Sequence, residues 1–527
     1  MPVASEAAKR AALVPDHELL RLVECTAGEV RLQLVFQPRA AYGAAPVRVR
    51  PRGRLGLRME VGGGVYWLRG THDLDCAEDR AWSDLNLRDG QSAQFSLTYS
   101  SDAPAVLGCL GEAARARLAE SRRWWCDWAD RATYDGPHCA AVRRSALALK
   151  LLTYAPSGAM VAAPTTSLPE RVGAGLNWDY RYCWLRDASF TVRALAGLGY
   201  WEEAEAFLNW LLFATWLTQP ELRVMYTVFG ETPPPERTLS HLRGFRDSPP
   251  VRIGNGARGQ LQLDVYGEVI DAVAQFASHG RRFDRPTQRV LLRFGEYVRT
   301  HWHLPDEGLW EPRSGPRPHT HSRLLCWTAL DRLCTMIDQG VIERAVAAPF
   351  HAAAEAIRHD IVTNAWNARL ESYTSVLGGD TLDASLLLMS WYGFETADSP
   401  RMRATHAAIA RDLRAGPALL YRYRRDPPEG AFGICGFWEV EYLARGGGSV
   451  EQAATALEQL LSHMNDVGLM AEETDPDTGA ALGNFPQAFT HVGLINAALS
   501  LQARRQGAPT LVHRAASAVP NPSRSHP

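Results

Sequence analysis

Before residue 100, apolar positions alternate over short runs: Leu19 to Cys25, Val30 to Phe36, Leu55 to Val61 and Ala93 to Tyr99. Turn residues such as Gly62-Gly63-Gly64 separate them, and the pattern predicts an antiparallel sandwich, or part of one, within residues 1–108. Helical spacing takes over at Glu112 to Asp130, where Ala114, Leu118 and Trp124-Trp125 predict a helix, so residues 109–136 read as a linker helix. Beyond it, periodic segments begin near His138, Asp187, Trp201, Leu261, Arg285, His321, Glu343, Leu382, Arg401, Ala431, Val450 and Gln487. Several carry a clean stripe, such as Ala204, Phe207, Leu208, Leu211 and Leu212. Twelve antiparallel helices can close into six inner and six outer; the spacing alone equally permits a solenoid, although no fixed-period repeat is found. This helical body is expected over residues 137–505. From Gln506 the chain is polar and rich in Pro and Ser, which predicts a disordered tail over residues 506–527.

Composition narrows the class. With 527 residues, 46% hydrophobic and 22% charged, the chain can bury a large core and hold more than one domain. Its 56 basic and 58 acidic residues nearly cancel, so no electrostatic footprint points to nucleic acid or an anionic membrane. No run is long and uncharged enough to span a bilayer, and Met1 to Leu13 lacks a signal-peptide core, which makes a cytoplasmic location the default expectation. The nine cysteines are scattered from Cys25 to Cys435 without C-x-x-C spacing, which argues against a disulfide framework and a zinc ribbon. Nothing in the sequence fixes the oligomeric state.

Candidate chemistry concentrates in Asn177-Trp178-Asp179-Tyr180-Arg181-Tyr182-Cys183-Trp184-Leu185-Arg186-Asp187. Aromatic rings cover the apolar C–H faces of a sugar, while a carboxylate and a guanidinium bind neighbouring hydroxyls. A Trp-rich helix start whose rings fill a core and whose Arg and Asp merely pair reads equally well from these residues alone.

Further motifs decide between the two. Pro164-Thr165-Thr166-Ser167-Leu168-Pro169-Glu170, the Asn177 to Asp187 run, Val251-Arg252-Ile253-Gly254-Asn255, Gln262-Leu263-Asp264-Val265-Tyr266-Gly267-Glu268, Leu309-Trp310-Glu311, Leu382-Asp383-Ala384-Ser385 and Gly483-Asn484-Phe485-Pro486-Gln487-Ala488-Phe489 occur in one order. Together the segment from Tyr134 to about Leu501 resembles the bacterial branch of glycoside hydrolase family 15, which includes glucoamylases, isomaltose-type glucohydrolases and α,α-trehalases. The resemblance implies a mainly α protein, an (α/α)6 barrel catalytic domain preceded here by a partial β-sandwich and a linker helix. Trp184-Arg186-Asp187, Arg252, Glu311, Arg422 and Glu472 each fall on a connection from an odd- to an even-numbered periodic segment. In an alternating barrel those connections emerge at one end.

Hydrolysis of a glycosidic bond needs two carboxyls in opposite protonation states. Glu311 lies between Trp310 and Pro312, where apolar neighbours would raise its pKa as a general acid requires. The alternative is an ordinary surface-loop glutamate, and the resemblance favours the acid. Glu472 is the candidate base, in a polar loop expected to be more open than the Glu311 site. Glu473 competes with it; the resemblance puts the base at the first of the two and implies inversion, for which the carboxyls stand about 6.5 to 9.5 Å apart.

The resemblance also makes Arg186 and Asp187 the pair that holds hydroxyls of the non-reducing glucose, and Arg422 the arginine beside the next sugar. Trp178, Trp184 and Trp310 are candidate ring contacts and Arg252 a further substrate-binding residue, whereas Trp327 and Trp438, inside helices, read as core. Gly254-Asn255-Gly256-Ala257-Arg258-Gly259 matches G-x-G-x-x-G but lacks a βαβ context, so no dinucleotide site is expected. His301-Trp302-His303 and His319-Thr320-His321 lack a matching Asp, Glu or Cys cluster, so no metal is expected. Acid-base hydrolysis demands no cofactor.

The expected activity is inverting, exo-acting hydrolysis of an α-linked glucose oligosaccharide or disaccharide, of glucoamylase type. The alternatives are an α,α-trehalase or a non-catalytic, decayed relative. The last stays open because the sandwich is short compared with that of bacterial members, and Met1 joins their pattern partway through it.

Overall fold

The computed structural model describes residues 14–507, apart from residues 16, 62, 102–105, 344 and 427. The expected disorder of the tail lies, from residue 508 onward, outside the described residues. The chain divides into two compact units, Met1–Arg131 and Ala132–Pro527.

The first unit holds eight strands: β1 (Glu18–Glu24), β2 (Glu29–Phe36), β3 (Arg48–Pro51), β4 (Leu57–Val61), β5 (Gly64–Gly70), β6 (Asp75–Cys76), β7 (Ala81–Arg88) and β8 (Ser92–Ser100). They form a five-stranded sheet in the order β1-β8-β5-β4-β3 and a three-stranded sheet in the order β2-β7-β6. All strand pairs in both are antiparallel. The strand β7 alternates buried Ala81, Ser83, Leu85 and Leu87 with more exposed Trp82, Asp84, Asn86 and Arg88. Its inner face meets the other sheet: Ala81 packs in a cluster with Val49, Leu57, Met59 and Leu68, and Leu85 and Leu87 with Ala93 and Phe95. Among the described residues of the unit, helix α1 (Glu112–Ala129) follows the strands.

The second unit carries the remaining helices: α2 (Cys139–Leu152), α3 (Ala188–Gly197), α4 (Trp201–Trp216), α5 (Asp264–Ser278), α6 (Arg285–His301), α7 (Thr320–Asp338), α8 (Ala348–Asn364), α9 (Leu388–Trp391, preceded by a 3-10 turn Ala384–Leu387), α10 (Pro400–Asp412), α11 (Gly433–Tyr442), α12 (Val450–Leu461) and α13 (Ala488–Arg505). The odd-numbered helices from α3 to α13 form a closed inner ring, each packing on the next, α7 through the 3-10 turn that precedes α9, and α13 returning to α3. Every residue of α11 is buried, as are most of α5 and α7, as an inner position demands. The even-numbered helices lie outside and bury one stripe, as α6 does with Val290, Leu291, Phe294 and Val298. This is an (α/α)6 barrel.

Local signals start the outer helices. Asp284 caps α6 through the Thr287 N–H, Ser399 caps α10 through the Met402 N–H, and both helices have proline in the first turn. Ser449 and Gln452 form a reciprocal capping box on α12. The inner-to-outer connections are short. Those from outer to inner are long, and each leads to the N-terminus of an inner helix, so they gather at one end of the ring. Among the described residues no helix is long and apolar enough to cross a membrane.

Candidate active site

Six long loops meet at that end, and their contacts are made by the motif residues. In the loop between α6 and α7, Gly308 and Glu311 both adopt left-handed backbone conformations, with φ of 68° and 55°. For glutamate this costs on the order of 1–2 kcal/mol, and it aims the carboxylate at the loop between α2 and α3. There Trp184 Nε1 donates to Glu311 Oε1 at 2.6 Å, and Arg186 approaches the same oxygen at 3.4 Å. Burial pushes Glu311 above the usual carboxylate range, against the opposing pull of Arg186, Trp184 and Gln262.

Arg186 also donates to Asp187 Oδ1 at 3.0 Å and to the Leu309 carbonyl at 3.0 Å. It therefore ties the start of α3 to the Glu311 loop. Burial raises the pKa of Asp187 in spite of Arg186.

Glu472 occupies the loop between α12 and α13 and is fully buried. Its Oε2 accepts from the Asn484 N–H at 3.2 Å, while its buried Oε1 has no hydrogen-bond partner among the described residues; the nearby Tyr180 hydroxyl acts to lower its pKa. Burial and the charge of Glu170 raise its pKa to about 8, against Tyr180, Arg422 and the Asn484 N–H. The expected openness of this site is thus reversed: Glu472 is sealed, whereas the Glu311 side chain remains 16% exposed. The polar composition of residues 472–475 misled because Gly483 folds back over the carboxylate; a Cβ there would stand 2.4 Å from Glu472 Oε2.

Tyr180 is a residue that sequence reasoning did not single out. Its hydroxyl contacts Glu472, its pKa is raised by burial and by the charges of Glu472, Glu170 and Glu311, and its ring meets Trp184 edge-on at 5.2 Å. It stands between the two candidate carboxylates and lines a cavity of about 230 Å³ together with Trp178, Trp310, Glu311, Arg313 and Arg422. Its position in the aromatic run was the available signal.

The other expected binding residues divide. Trp178, Trp310 and Arg422 line the cavity. Trp184 does not offer a free face: it is 3% exposed and serves Glu311 through its N–H. Arg252 is engaged by the backbone, donating to the carbonyls of Gly175 (3.1 Å) and Asn177 (2.6 Å), and its guanidinium lies 4.7 Å from the Trp178 ring. Arg313 stacks on the same ring at 4.5 Å, a contact that was not anticipated.

Behind these residues lies a buried acidic group. Glu170 accepts from Trp178 Nε1 at 2.8 Å and from Arg422 at 3.1 Å, and Glu429 pairs with Arg422 and Arg425. Glu170, Glu429 and Glu473 bring carboxylate oxygens within 4.8 Å of one another, a spacing at which a cation could be held. The Arg422 guanidinium already supplies positive charge there. Glu473 turns towards this group, while Glu472 turns towards Tyr180. Asp383 accepts from Trp310 Nε1 at 2.9 Å, and Asn484 joins Thr165, the Trp178 carbonyl and Glu472. Of the histidines weighed as metal ligands, His321 is buried 3.6 Å from Asp264. Trp327 and Trp438 are buried, and Trp438 packs on Trp310 and Phe489.

Two buried, hydrogen-bonded carboxyls raised in pKa, with aromatic and guanidinium walls, can supply the proton donor and acceptor for hydrolysis. The chain is 38% identical over 515 residues to a trehalase of Mycolicibacterium smegmatis, covering 92% of this chain and 74% of that protein. A trehalase of Mycobacterium tuberculosis is 36% identical over 513 residues, covering 92% and 72%. Among solved structures, a bacterial glucoamylase complexed with acarbose superimposes with a TM-score of 0.71 at 13% identity, over 90% of this chain and 77% of that one. That likeness speaks for the fold. The family described as "Glycosyl hydrolases family 15" matches residues 136–499, and the chain belongs to it.

Proposed function

We propose that this glycoside hydrolase is an inverting α,α-trehalase, with Glu311 as general acid and Glu472 as general base. The observation that carries the substrate is the name shared by the relatives at 36–38% identity, each aligned over 92% of the chain. Glucoamylase-type action on maltose or isomaltose is supported only by the likeness of fold.

In this reading Glu311 protonates the bridging oxygen while the Trp184 N–H and Arg186 hold its carboxyl in place. Glu472 removes a proton from the attacking water, and the nearby Tyr180 hydroxyl favours its ionised form. Glu472 is preferred to Glu473 because Tyr180 joins it to the region of Glu311, whereas Glu473 faces Glu170 and Glu429. Arg186 and Asp187 grip the hydroxyls of the glucose that reacts.

Trehalose makes a sharp test, because both of its anomeric carbons are α. Inversion at one of them releases one β-glucose and one α-glucose, whereas retention would release two α-glucoses. Proton NMR in the first minutes of turnover, before mutarotation, should show the two anomers in equal amounts. Only α-glucose would overturn Glu472 as a base, and release of glucose from maltose but not from trehalose would overturn the substrate.

A further inference from the structure

The inner helices have two ends, and only one carries the active-site loops. At the other, the C-terminal halves of α3, α5 and α7 and the end of α9 enclose a second cavity of about 580 Å³, larger than the one at the active site. Its mouth is formed by exposed Ser278, His279, Gly280 and Gln339, and its walls include Val192, Trp201, Ala274, Phe276 and Met336. No residue at this end takes part in the hydrolytic site.

The floor carries charge. Arg332 is compensated, donating to Asp271 Oδ1 at 2.8 Å, to Asp331 and to the Tyr392 carbonyl. Arg445, just behind, lies 3.5 Å from Glu441. Arg193 differs from both. It is 8% exposed, its guanidinium lies 3.9 Å from the Trp391 ring, and its hydrogen bond is a long one to Ser500 Oγ at 3.4 Å. Among the described residues its Nε has no hydrogen-bond partner, as is true of the Arg445 nitrogens, but no carboxylate lies within ion-pair distance of Arg193. Burial, with Arg445 adding repulsion, lowers its pKa to about 9 against the more distant attraction of Glu441 and Asp271. Arg332 thus pairs with Asp271 and Asp331 and Arg445 with Glu441, and Arg193 is the guanidinium of the three that has no carboxylate within ion-pair distance, in the wall of a largely apolar pocket.

A buried guanidinium without a direct ion-pair partner favours an anion that can supply one. Trp391 and Trp201 favour a flat, apolar body over a hydrated ion. The pocket is also far larger than a bare oxyanion needs. We propose that this cavity is a binding site for a small organic carboxylate, its single negative charge against Arg193 and its ring or chain between Trp201, Phe276 and Trp391. The site is separate from catalysis in position, although α3 connects them: Asp187 precedes its first turn and Arg193 lies in its second half.

The test is a calorimetric titration of the full chain with sodium benzoate at fixed ionic strength, with benzylamine and inorganic phosphate as comparators. Benzoate should bind saturably at one site, and both comparators should bind at least tenfold more weakly. Arg193→Met should weaken benzoate at least tenfold with the circular dichroism spectrum retained. Ala196→Trp, which fills the cavity from a half-buried wall position, should abolish binding and decides the matter if the arginine variant does not fold. No saturable benzoate binding overturns the proposal, as does benzylamine binding equally well. Tight phosphate binding would reassign the charge to an inorganic oxyanion, and benzoate affinity undiminished by Ala196→Trp would place the ligand elsewhere.

Discussion

The hydroxyl of Tyr180 lowers the pKa of Glu472, while the charge of Glu311 also reaches it. Removing that hydroxyl withdraws a polar neighbour that favours the ionised form of Glu472, so the carboxyl should hold its proton to still higher pH. A base works only when deprotonated, and Tyr180→Phe should therefore move the acidic limb of the kcat/KM profile upward while leaving the fold intact. An unshifted limb would detach Tyr180 from the base. Glu311→Gln and Glu472→Gln each remove one proton-transfer role, and each should lower turnover by on the order of 10²- to 10⁴-fold. Near-normal glucose release by either variant, with circular dichroism unchanged, would mean that another carboxyl does the work. In the parent protein the same limb should lie well above the range of a free glutamate, since Glu472 is raised to about 8 by burial and the charge of Glu170.

At the scale of elements, the loops place the chemistry and the helices hold the loops. Gly483 adopts φ of 71°, and its missing side chain leaves room for the Glu472 carboxylate. Gly483→Ala adds a Cβ to that space, so it should reduce activity at least as strongly as it reduces the melting temperature. A full-rate enzyme with a lowered melting temperature would show that the carboxylate tolerates displacement. The helices themselves were legible because burial imposes a period: segment starts read near Trp201, Arg285 and Val450 coincide with helix starts, and caps such as Asp284 and Ser449 mark two of them. Strand β7 was missed although Ala81, Ser83, Leu85 and Leu87 alternate cleanly, because two of the four inward residues are small. Within the site, Glu311 and Arg186 were legible from local motifs. The hub made by Glu170, Arg422 and Glu429 was not, since its partners lie as many as 252 residues apart and only the closed ring brings them together.

Among the described residues, buried carboxyls outnumber buried guanidiniums, and several are raised in pKa, which bears on how stability responds to pH. Burial raises Glu472 to about 8 and, with the charge of Asp264 adding to it, Asp306 to about 7; burial also lifts Glu268 and Glu473. A carboxyl raised on folding binds its proton more tightly in the native state, so its contribution is complete below the unfolded value near 4.5 and declines as pH rises through the folded value. Buried His491 acts in the opposite sense. Burial lowers its pKa to about 3, so the unfolded chain takes up a proton that the native one refuses, and stability rises with pH up to about 6.5. Below 4.5 the histidine acts together with carboxyls that basic partners hold low in spite of burial, such as Glu439 and Glu236; between 4.5 and 6.5 the histidines that burial lowers, His491 and His319, and the raised carboxyls oppose; above 6.5 the raised carboxyls prevail. The melting temperature should therefore peak in mildly acid solution and fall between pH 6.5 and 8. Glu472→Gln should flatten that fall, because the amide has no proton to lose. Calorimetric scans of both proteins across pH 4 to 8.5 check this: a parent protein whose melting temperature climbs through pH 7, or a variant with an undiminished slope, would mean that Glu472 is ionised in the resting fold and that its burial is compensated by the Tyr180, Asn484 and Arg422 contacts.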